Sequence, residues 1–216
     1  MKLSLWVVLV TKDAITLERV MRYCSLLKKP LLVVNAGLES FPKPPNKAIF
    51  QVVDLSLGDS TVSAALNRGL TVIPGSDVLL LTDSNANDIV NLEMLETVFA
   101  SGVRVGILHA DKNEIPGTRQ VPKVPILGSI LSGRALQACG LLDGSLRDLS
   151  MVSQSWCERA ASKGWSSVLT KGLPTRELKS DLADRPLKVA LSQIDFLKKT
   201  AEVDIVTGKQ IGRAHV

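Results

Sequence analysis

The chain has 216 residues, of which 45% are hydrophobic and 22% are charged, and its net charge is +5. This length and balance indicate one globular domain with a full core. Aromatic residues make up only 4% and no dense run of Lys or Arg occurs, which excludes nucleic acid as the partner and leaves either a slightly basic surface or attraction to anionic ligands, such as nucleotide diphosphates or a membrane face.

The cysteines and the apolar segments indicate in which cellular compartment the protein resides. Cys24, Cys139 and Cys157 are widely spaced and form no CxxC motif, which favours buried thiols in a reducing compartment over a disulfide framework or a zinc site. No apolar run is as long as a membrane span. The segment Met1–Val10 is apolar but lacks a small-residue cleavage site, so we interpret it as a strand and not as a signal peptide. A cytoplasmic protein without a transmembrane segment is predicted.

The first half of the chain alternates between short apolar runs and amphipathic segments. Runs rich in Val and Leu are typical of parallel strands covered on both faces, and apolar residues at helical spacing are typical of the helices between them. This alternation predicts a Rossmann-type α/β fold with a doubly wound, mostly parallel sheet flanked by helices. The predicted strands are Leu3–Val10, Leu31–Val34, Ala48–Val53, Asp77–Thr82 and Val103–His109, and the predicted helices are Ile15–Leu27, a helix capped by Asp59 or Ser60 that runs to about Leu70, and Asp88–Ala100.

The pattern changes after the fifth predicted strand. Polar residues at Ala110–Gln120 predict a loop, and an apolar run at Ile126–Leu131 follows without a clear period. Residues 171–210 are charged and predicted to form a helical C-terminal segment. Residues 211–216 match one reading frame of a common sequencing adapter, which indicates an artefact and leaves His215 without functional weight. Further helices are predicted at Gly133–Cys139 and Leu149–Ser162, and a last strand at Trp165–Leu169.

The strand predicted at Asp77–Thr82 ends abruptly in Asp83-Ser84-Asn85. A buried strand with this ending places oxygen ligands at the edge of a sheet, where α/β proteins bind their ligands. A carboxylate and an amide both carry oxygen that can bind a hard cation, although the amide brings no charge and would bind it more weakly. The alternative is a turn whose polar side chains satisfy its own backbone.

Together with Gly58 and with Asn67-Arg68-Gly69 near the end of a helix, this segment resembles the nucleotide-sugar half of GT-A glycosyltransferases, most closely family 2. The resemblance covers residues 1–170, with a nucleotide-sugar half at about 1–110 and an acceptor half at about 111–170. It implies a GT-A fold and an inverting, metal-assisted transfer of a sugar from a nucleotide-sugar, a UDP-sugar in the first instance, to an acceptor hydroxyl. The acceptor is a glycan, a lipid or a protein, which the sequence leaves open.

The resemblance also implies roles for individual residues. Asp83 corresponds to the contact for the metal and the ribose, and Asn85 to an auxiliary ligand of Mn²⁺ or Mg²⁺. The family asparagine that corresponds to Asn67 holds a loop near the diphosphate, and the alternative for Asn67 is a residue at a helix C-terminus. Asn35 can both donate to and accept from a nucleobase edge. The predicted nucleotide-binding residues are Thr11, Asp13, Asn35, Asn67 and Asp83.

The acceptor half departs from the family pattern. Family-2 enzymes carry a Glu-Asp pair whose Asp deprotonates the acceptor hydroxyl, whereas the corresponding segment Val152–Ser155 has no carboxylate. Asp143, Asp148 and Glu158 are the nearest substitutes for the base. Asp148 is the first choice because it lies in the loop that leads to the helix containing this segment, and its alternative is a helix N-cap or a solvated charge. Arg159 corresponds to the family arginine that follows this segment. His109 is interpreted as a strand-end histidine that hydrogen-bonds to backbone.

Two alternatives to a glycosyltransferase remain open. The missing Glu-Asp pair favours a non-catalytic GT-A domain that binds a nucleotide-sugar or a partner without turnover. A nucleotidyltransferase also uses a doubly wound sheet and acidic metal ligands, but that class has a glycine-rich basic loop after the first strand, and Thr11-Lys12-Asp13 contains no glycine. A glycosyltransferase and a non-catalytic GT-A domain are both compatible with peripheral contact at a membrane surface.

Overall fold

A computed structural model describes residues 5–38, 41–44, 49–55, 61–86, 92–102, 104–111 and 117–171. These residues form eight strands and five helices that build one mixed sheet with helices on both faces. The strands are β1 (Trp6–Thr11), β2 (Leu31–Asn35), β3 (Phe50–Asp54), β4 (Val78–Thr82), β5 (Val105–Asp111), β6 (Gly117–Val121), β7 (Ser129–Leu131) and β8 (Ser166–Lys171). The helices are α1 (Ala14–Leu26), α2 (Val62–Val72), α3 (Leu92–Ser101), α4 (Gly133–Cys139) and α5 (Leu149–Ser162).

The strand order in the sheet is β3-β2-β1-β4-β7-β5-β8-β6. Strands β1 to β4 run parallel, and β5 and β8 run in the same direction because β7 is antiparallel to both β4 and β5. Strand β6 pairs antiparallel with β8 at one edge. The doubly wound, mostly parallel α/β architecture predicted from the sequence is confirmed.

In β1, β2 and β4 every residue before the last is apolar, because both faces of the sheet are covered. In β1, alternate residues contact different cores: Val8 and Val10 pack in the core formed with α2, α4 and α5, whereas Val7 and Leu9 pack in the core formed with α1 and α3. All four of these side chains are at most 1% exposed. This two-sided burial explains why the strands carry continuous apolar runs and not an alternating pattern.

The structure differs from the sequence prediction at two strands. The predicted loop Ala110–Gln120 contains the end of β5 and most of β6, which is an exposed edge strand of polar residues and therefore lacks an apolar signal. The apolar run that includes Ile130 contributes β7, a strand of three residues inserted between β4 and β5. Three residues are too few to show a period, so only tertiary pairing identifies this strand.

Three smaller outcomes concern caps, cysteines and helix length. The N-cap of α2 is Thr61 and neither Asp59 nor Ser60, because the Thr61 hydroxyl accepts from the backbone N–H of Ala64 at 3.0 Å. The three cysteines are free and buried, as predicted, and burial raises the pKa of Cys24 to about 12. Within the described ranges, no helix has the length and apolar character needed to cross a bilayer.

Some predictions concern residues outside the described ranges. These are residues 172–210 of the helical segment predicted at 171–210, whose first residue, Lys171, ends β8, together with the adapter-like residues 211–216 and the glycine at position 58.

Candidate functional site

The sheet changes its direction of growth beside β1, and we call the place where the carboxyl ends of β1 and β4 adjoin the crevice. From β1 the chain continues to β2 and β3 on one side, and α2 then returns it to β4 on the other side of β1. The carboxyl ends of β1 and β4 therefore adjoin, and their last paired residues are Val10 and Thr82. In open α/β sheets, ligands bind at this kind of topological switch point.

Asp83 connects the two strands across this crevice. Its carboxylate follows β4 directly and accepts a hydrogen bond from the hydroxyl of Thr11, the last residue of β1. Its second oxygen accepts from the backbone N–H of Lys12 at 3.2 Å. The structure thus brings together Thr11 and Asp83, two of the residues predicted to bind the nucleotide.

The carboxylate of Asp83 is electrostatically unusual. Burial raises its pKa from 3.8 to about 6, and this effect outweighs the hydrogen bonds from Thr11 and Lys12 and the ammonium charge of Lys12, which lower it. The nearby negative charge of Asp13 raises the pKa further. A half-buried carboxylate with a raised pKa at a topological switch point is a feature of functional sites, because the fold gains nothing from desolvating it.

Asn85 locks the turn that follows β4. Its side-chain oxygen accepts from the backbone N–H of Thr82 at 2.7 Å and from the Thr82 hydroxyl at 3.3 Å. Its side-chain nitrogen is buried and has no hydrogen-bond partner among the described residues. This nitrogen lies against Gly128, which has a φ of +75°; a Cβ built there would be 3.4 Å from it.

These contacts bear on the predicted metal pair. Mg²⁺ and Mn²⁺ take oxygen ligands, and Asp83 could supply a carboxylate oxygen. The oxygen of Asn85, however, is already engaged by Thr82, so the amide presents nitrogen, which does not ligate these cations. The described residues contain no group of three or more His, Cys, Asp or Glu side chains arranged to hold a metal. The pair Asp83 and Asn85 therefore does not fit a divalent cation in this arrangement.

Asp13 lies at the same edge of the sheet, where it caps α1. Its carboxylate accepts from the backbone N–H groups of Ile15 at 3.0 Å and Thr16 at 3.3 Å, and from the Thr16 hydroxyl at 2.7 Å. These bonds satisfy donors at the start of the helix. A contact between Asp13 and a nucleobase stays a prediction.

Asn35 ends β2 and holds the chain that follows it. Its side-chain oxygen accepts from the backbone N–H groups of Gly37 at 3.1 Å and Leu38 at 2.7 Å, and its nitrogen donates to Asp54 at 2.8 Å. Asp54 ends β3, so the ends of two neighbouring strands are joined. Asn35 uses both the donor and the acceptor of its amide here, and its role in base recognition also stays a prediction.

Asn67 holds the α4–α5 loop (residues 140–148). Its nitrogen donates to the carbonyl of Leu142 at 2.8 Å, and its oxygen accepts from the Leu142 N–H at 2.9 Å. Asn67 is not a C-terminal residue of its helix, because α2 continues to Val72. Gly69 lies inside the helix and lets it approach the sheet, since a Cβ there would be 2.9 Å from Val8.

Two further hydroxyls, those of the N-cap Thr61 and of Ser63 in α2, also hold the α4–α5 loop, and they were not predicted from the sequence. Thr61 donates to the carbonyl of Gly144 at 2.8 Å, and Ser63 donates to the carbonyl of Leu146 at 3.1 Å. Ser63 is fully buried, and it stands four residues before Asn67 on the inward side of the helix. Polar residues at this spacing on a buried helix face are the signal that could have identified the attachment.

The carboxylates of the α4–α5 loop bond to residues close to them in sequence. Asp143 accepts from the N–H of Ser145 at 3.0 Å and from its hydroxyl at 2.6 Å, and these bonds lower the Asp143 pKa. Asp148 caps α5 by accepting from the N–H groups of Ser150 at 2.6 Å and Met151 at 3.3 Å. The N-cap interpretation of Asp148 is confirmed. Helix α5 runs opposite to the parallel strand β8 that follows it. Its first turn therefore lies at the carboxyl edge of the sheet, as the crevice does.

Helix α5 holds the other end of this loop. Arg159 donates to the carbonyls of Cys139 at 3.2 Å and Leu141 at 2.7 Å, and Trp156 donates to the carbonyl of Gly140 at 3.1 Å. The Cys139 carbonyl is one of the unpaired acceptors at the C-terminus of α4, where positive charge is favoured, and the carbonyls of Gly140 and Leu141 follow it in the chain. The arginine singled out by the family resemblance thus has a structural role in this chain.

His109 lies in β5 two residues before the strand ends at Asp111, and one of its partners is a side chain. Its Nδ1 lies 2.9 Å from the hydroxyl of Ser129 on the adjacent strand β7. The Ser129 hydroxyl donates its proton to the carbonyl of Pro125, so it accepts from His109, which places a proton on Nδ1.

A groove of about 630 Å³ lies at the opposite, amino edge of the sheet. Its lining includes Arg104 and Trp165, which precede β5 and β8. The polar cluster around Asp83 is therefore not part of this groove, and we identify the candidate site by its chemistry and its place in the topology.

No protein-family model matches the chain, and no curated protein matches it. Among solved structures, the fold is similar to that of S. aureus TarS 1–349 in complex with UDP-GlcNAc, with a TM-score of 0.51 and 14% sequence identity. The alignment covers 94% of this chain and 66% of that chain, so the chain spans slightly less than two thirds of the TarS chain. At this identity the similarity shows a shared GT-A-like fold and nothing further about activity.

Proposed function

We propose that this chain binds a nucleotide-sugar, in the first instance a UDP-sugar, in the crevice between β1 and β4 and acts in glycosyl transfer. The observation that carries the proposal is the half-buried carboxylate of Asp83, which joins the ends of these two strands through Thr11 and Lys12. The similarity to a fold that holds UDP-GlcNAc in TarS supports the same ligand class.

The chemistry of Asp83 suits a sugar hydroxyl. Above a pH of about 6 the side chain is ionised, and a carboxylate accepts from a hydroxyl more strongly than a neutral oxygen does. Its two existing donors fix its orientation before the ligand arrives, so less conformational freedom is lost on binding. We assign Asp83 to the ribose and place Asn35 and Asp13, which lie at the same edge, on the nucleobase side.

In the transfer step, an acceptor hydroxyl attacks the anomeric carbon while the bond from that carbon to the diphosphate breaks. The configuration inverts, the electron pair leaves with the diphosphate, and the hydroxyl proton passes to a carboxylate. We assign this base to Asp148 or Asp143 on the α4–α5 loop, which α2 holds through Asn67.

Binding without turnover is the second candidate. Both candidate bases already accept local hydrogen bonds, and those bonds lower the pKa of Asp143 and so weaken it as a base. A nucleotidyltransferase is less compatible with the structure, because Asp13 begins α1 directly after β1 and no glycine-rich loop intervenes.

Calorimetry with UDP and UDP-GlcNAc, followed by hydrolysis and transfer assays, tests the proposal. We expect Asp83→Ala to weaken UDP binding by at least about tenfold, and the matched control Glu158→Ala, an exposed carboxylate on α5, to leave it unchanged. Wild-type affinity should fall as the pH drops below about 6, because Asp83 becomes protonated. An Asp83→Ala protein that binds UDP like the wild type would refute the assigned site.

The same assays separate the two candidates. A glycosyltransferase loses turnover, but keeps UDP affinity, in Asp148→Asn or Asp143→Asn. A non-catalytic domain binds UDP-GlcNAc and releases no sugar in wild type or in any variant.

A further inference from the structure

We infer that Asn85 makes this crevice bind its nucleotide-sugar without a divalent cation. The inference rests on the proposed function and concerns the third position of the Asp83-Ser84-Asn85 turn. There the side chain is committed to the backbone of the turn and does not face a ligand with its oxygen.

The orientation of the Asn85 amide is fixed by its partner. A backbone N–H can only donate, so the atom 2.7 Å from the Thr82 nitrogen is the Asn85 oxygen. The Thr82 hydroxyl, 3.3 Å away, occupies the remaining acceptor direction. A cation at this oxygen would displace the bond that closes the turn and leave the Thr82 N–H unpaired.

The other half of the amide excludes a cation as well. The NH₂ group carries only donors, and it is buried against the Gly128 turn. Asp83 is then the one carboxylate of this turn, and its two oxygens already accept from Thr11 and Lys12. The turn thus offers one carboxylate and no second free oxygen, which makes a weaker site for Mg²⁺ or Mn²⁺ than a pair of carboxylates, because hard cations bind through several oxygen ligands.

The positive charge that a diphosphate requires must then come from the protein. The backbone N–H of Lys12 donates to Asp83 at 3.2 Å, so Lys12 stands at the crevice and is the basic residue between β1 and α1. We assign to Lys12 the role of balancing the diphosphate, in place of a cation.

Asn85→Asp provides an isosteric test. One oxygen of the new carboxylate keeps the bond from the Thr82 N–H, and the other replaces the buried nitrogen. The turn would then carry two carboxylates two residues apart, which is the arrangement that hard cations prefer. We expect this variant to gain a cation site that the wild type lacks.

Two measurements test the inference. The first titrates Mn²⁺ alone into wild type, Asn85→Asp and Asp83→Ala/Asn85→Asp, and follows free Mn²⁺ by electron paramagnetic resonance. The second measures UDP affinity by calorimetry in Mn²⁺ and in EDTA. We expect wild-type UDP affinity to differ by less than about twofold between the two conditions, and that of Asn85→Asp to rise by at least about tenfold in Mn²⁺. Lys12→Met should weaken UDP binding equally in both.

The outcomes separate this inference from the proposed function. Stoichiometric Mn²⁺ binding by the wild type that is lost in Asp83→Ala, or wild-type UDP binding that requires Mn²⁺, would overturn the inference. Absence of Mn²⁺ binding by a folded Asn85→Asp would show that Asn85 is not the deciding residue and would also overturn it. If UDP binds in neither condition, the proposed function fails, whereas the Mn²⁺ titration still decides the inference.

Discussion

The turn after β4 and the α4–α5 loop both carry aspartates at the same edge of the sheet, yet they use them in opposite ways. Asp83 accepts from Thr11 and Lys12, more than 70 residues away in sequence, and burial raises its pKa to about 6. Asp143 and Asp148 accept from residues two or three positions ahead. The comparison indicates that ionised Asp83 lowers the stability of the folded chain, whereas Asp143 and Asp148 stabilise the backbone next to them.

The largest effect is expected where the loop is attached to α2. Asn67→Ala removes both hydrogen bonds to the buried residue Leu142 and leaves its N–H and C=O unpaired. We expect the free energy of unfolding to fall by about 2–4 kcal/mol, measured by urea denaturation. The control Gln154→Ala removes an exposed amide whose partner is Glu158 and should change stability little. Equal effects in the two variants would mean that the attachment is not a stabilising feature.

The cost of burying Asp83 predicts a stabilising substitution. Because the pKa of Asp83 is raised on folding, the folded state binds this proton more tightly, and the wild type loses stability as pH rises from 3.8 to about 6. Asp83→Asn should therefore be more stable than the wild type at pH 7 by about 1–2 kcal/mol, with allowance for solvent screening. The advantage should shrink as pH falls toward 4. Denaturation at several pH values measures it, and a destabilised Asp83→Asn at pH 7 would contradict the comparison.

Asp148 should behave as a helix cap. Asp148→Ala is expected to lower stability by about 1 kcal/mol, and Asp148→Asn or Asp148→Ser to restore most of it, because these side chains also cap helices. Thermal denaturation measures the stabilities, and a turnover assay shows whether Asp148 also acts in sugar transfer. If Asp148→Asn restores stability but not sugar transfer, Asp148 also acts as the base.

Asp143 should give the smallest effect on folding. Its pKa is lowered in the folded chain by Ser145, so its contribution to stability is present above the unfolded pKa and is lost as pH falls through the folded one. Asp143→Asn should therefore flatten the pH dependence of stability only in the acid range, below about pH 4. A marked loss of stability at pH 7 would show that the Asp143 turn contributes more than its exposure suggests.

The sequence predicted the parts of the fold that depend on burial over several residues. Strands β1, β2 and β4 are apolar on both faces and so produce continuous runs, and the position of Asp83 follows from the end of one of them. Strands β6 and β7 could not be predicted, because β6 has a single large apolar residue, Val121, and β7 has only three residues. Their existence depends on pairing with distant strands and on no local pattern.

The candidate site was predictable to a similar extent. The sequence placed Thr11 and Asp83 at strand ends, and the parallel register then brings them together. It could not reveal which atom of Asn85 faces the Thr82 N–H, because the amide orientation depends on the geometry of the folded turn. The attachment of Asn67 to Leu142 was equally hidden, since it joins residues 75 positions apart.

The position of β7 has a consequence for how the molecule assembles. Strands β4 and β5 are successive in sequence, but β7 lies between them and pairs with both. During synthesis, therefore, the edges of β4 and β5 remain open until Leu131 has left the ribosome, and open strand edges promote association between chains. A fragment that ends at Asp111 should be prone to aggregation, whereas one that extends through β8 can close its sheet.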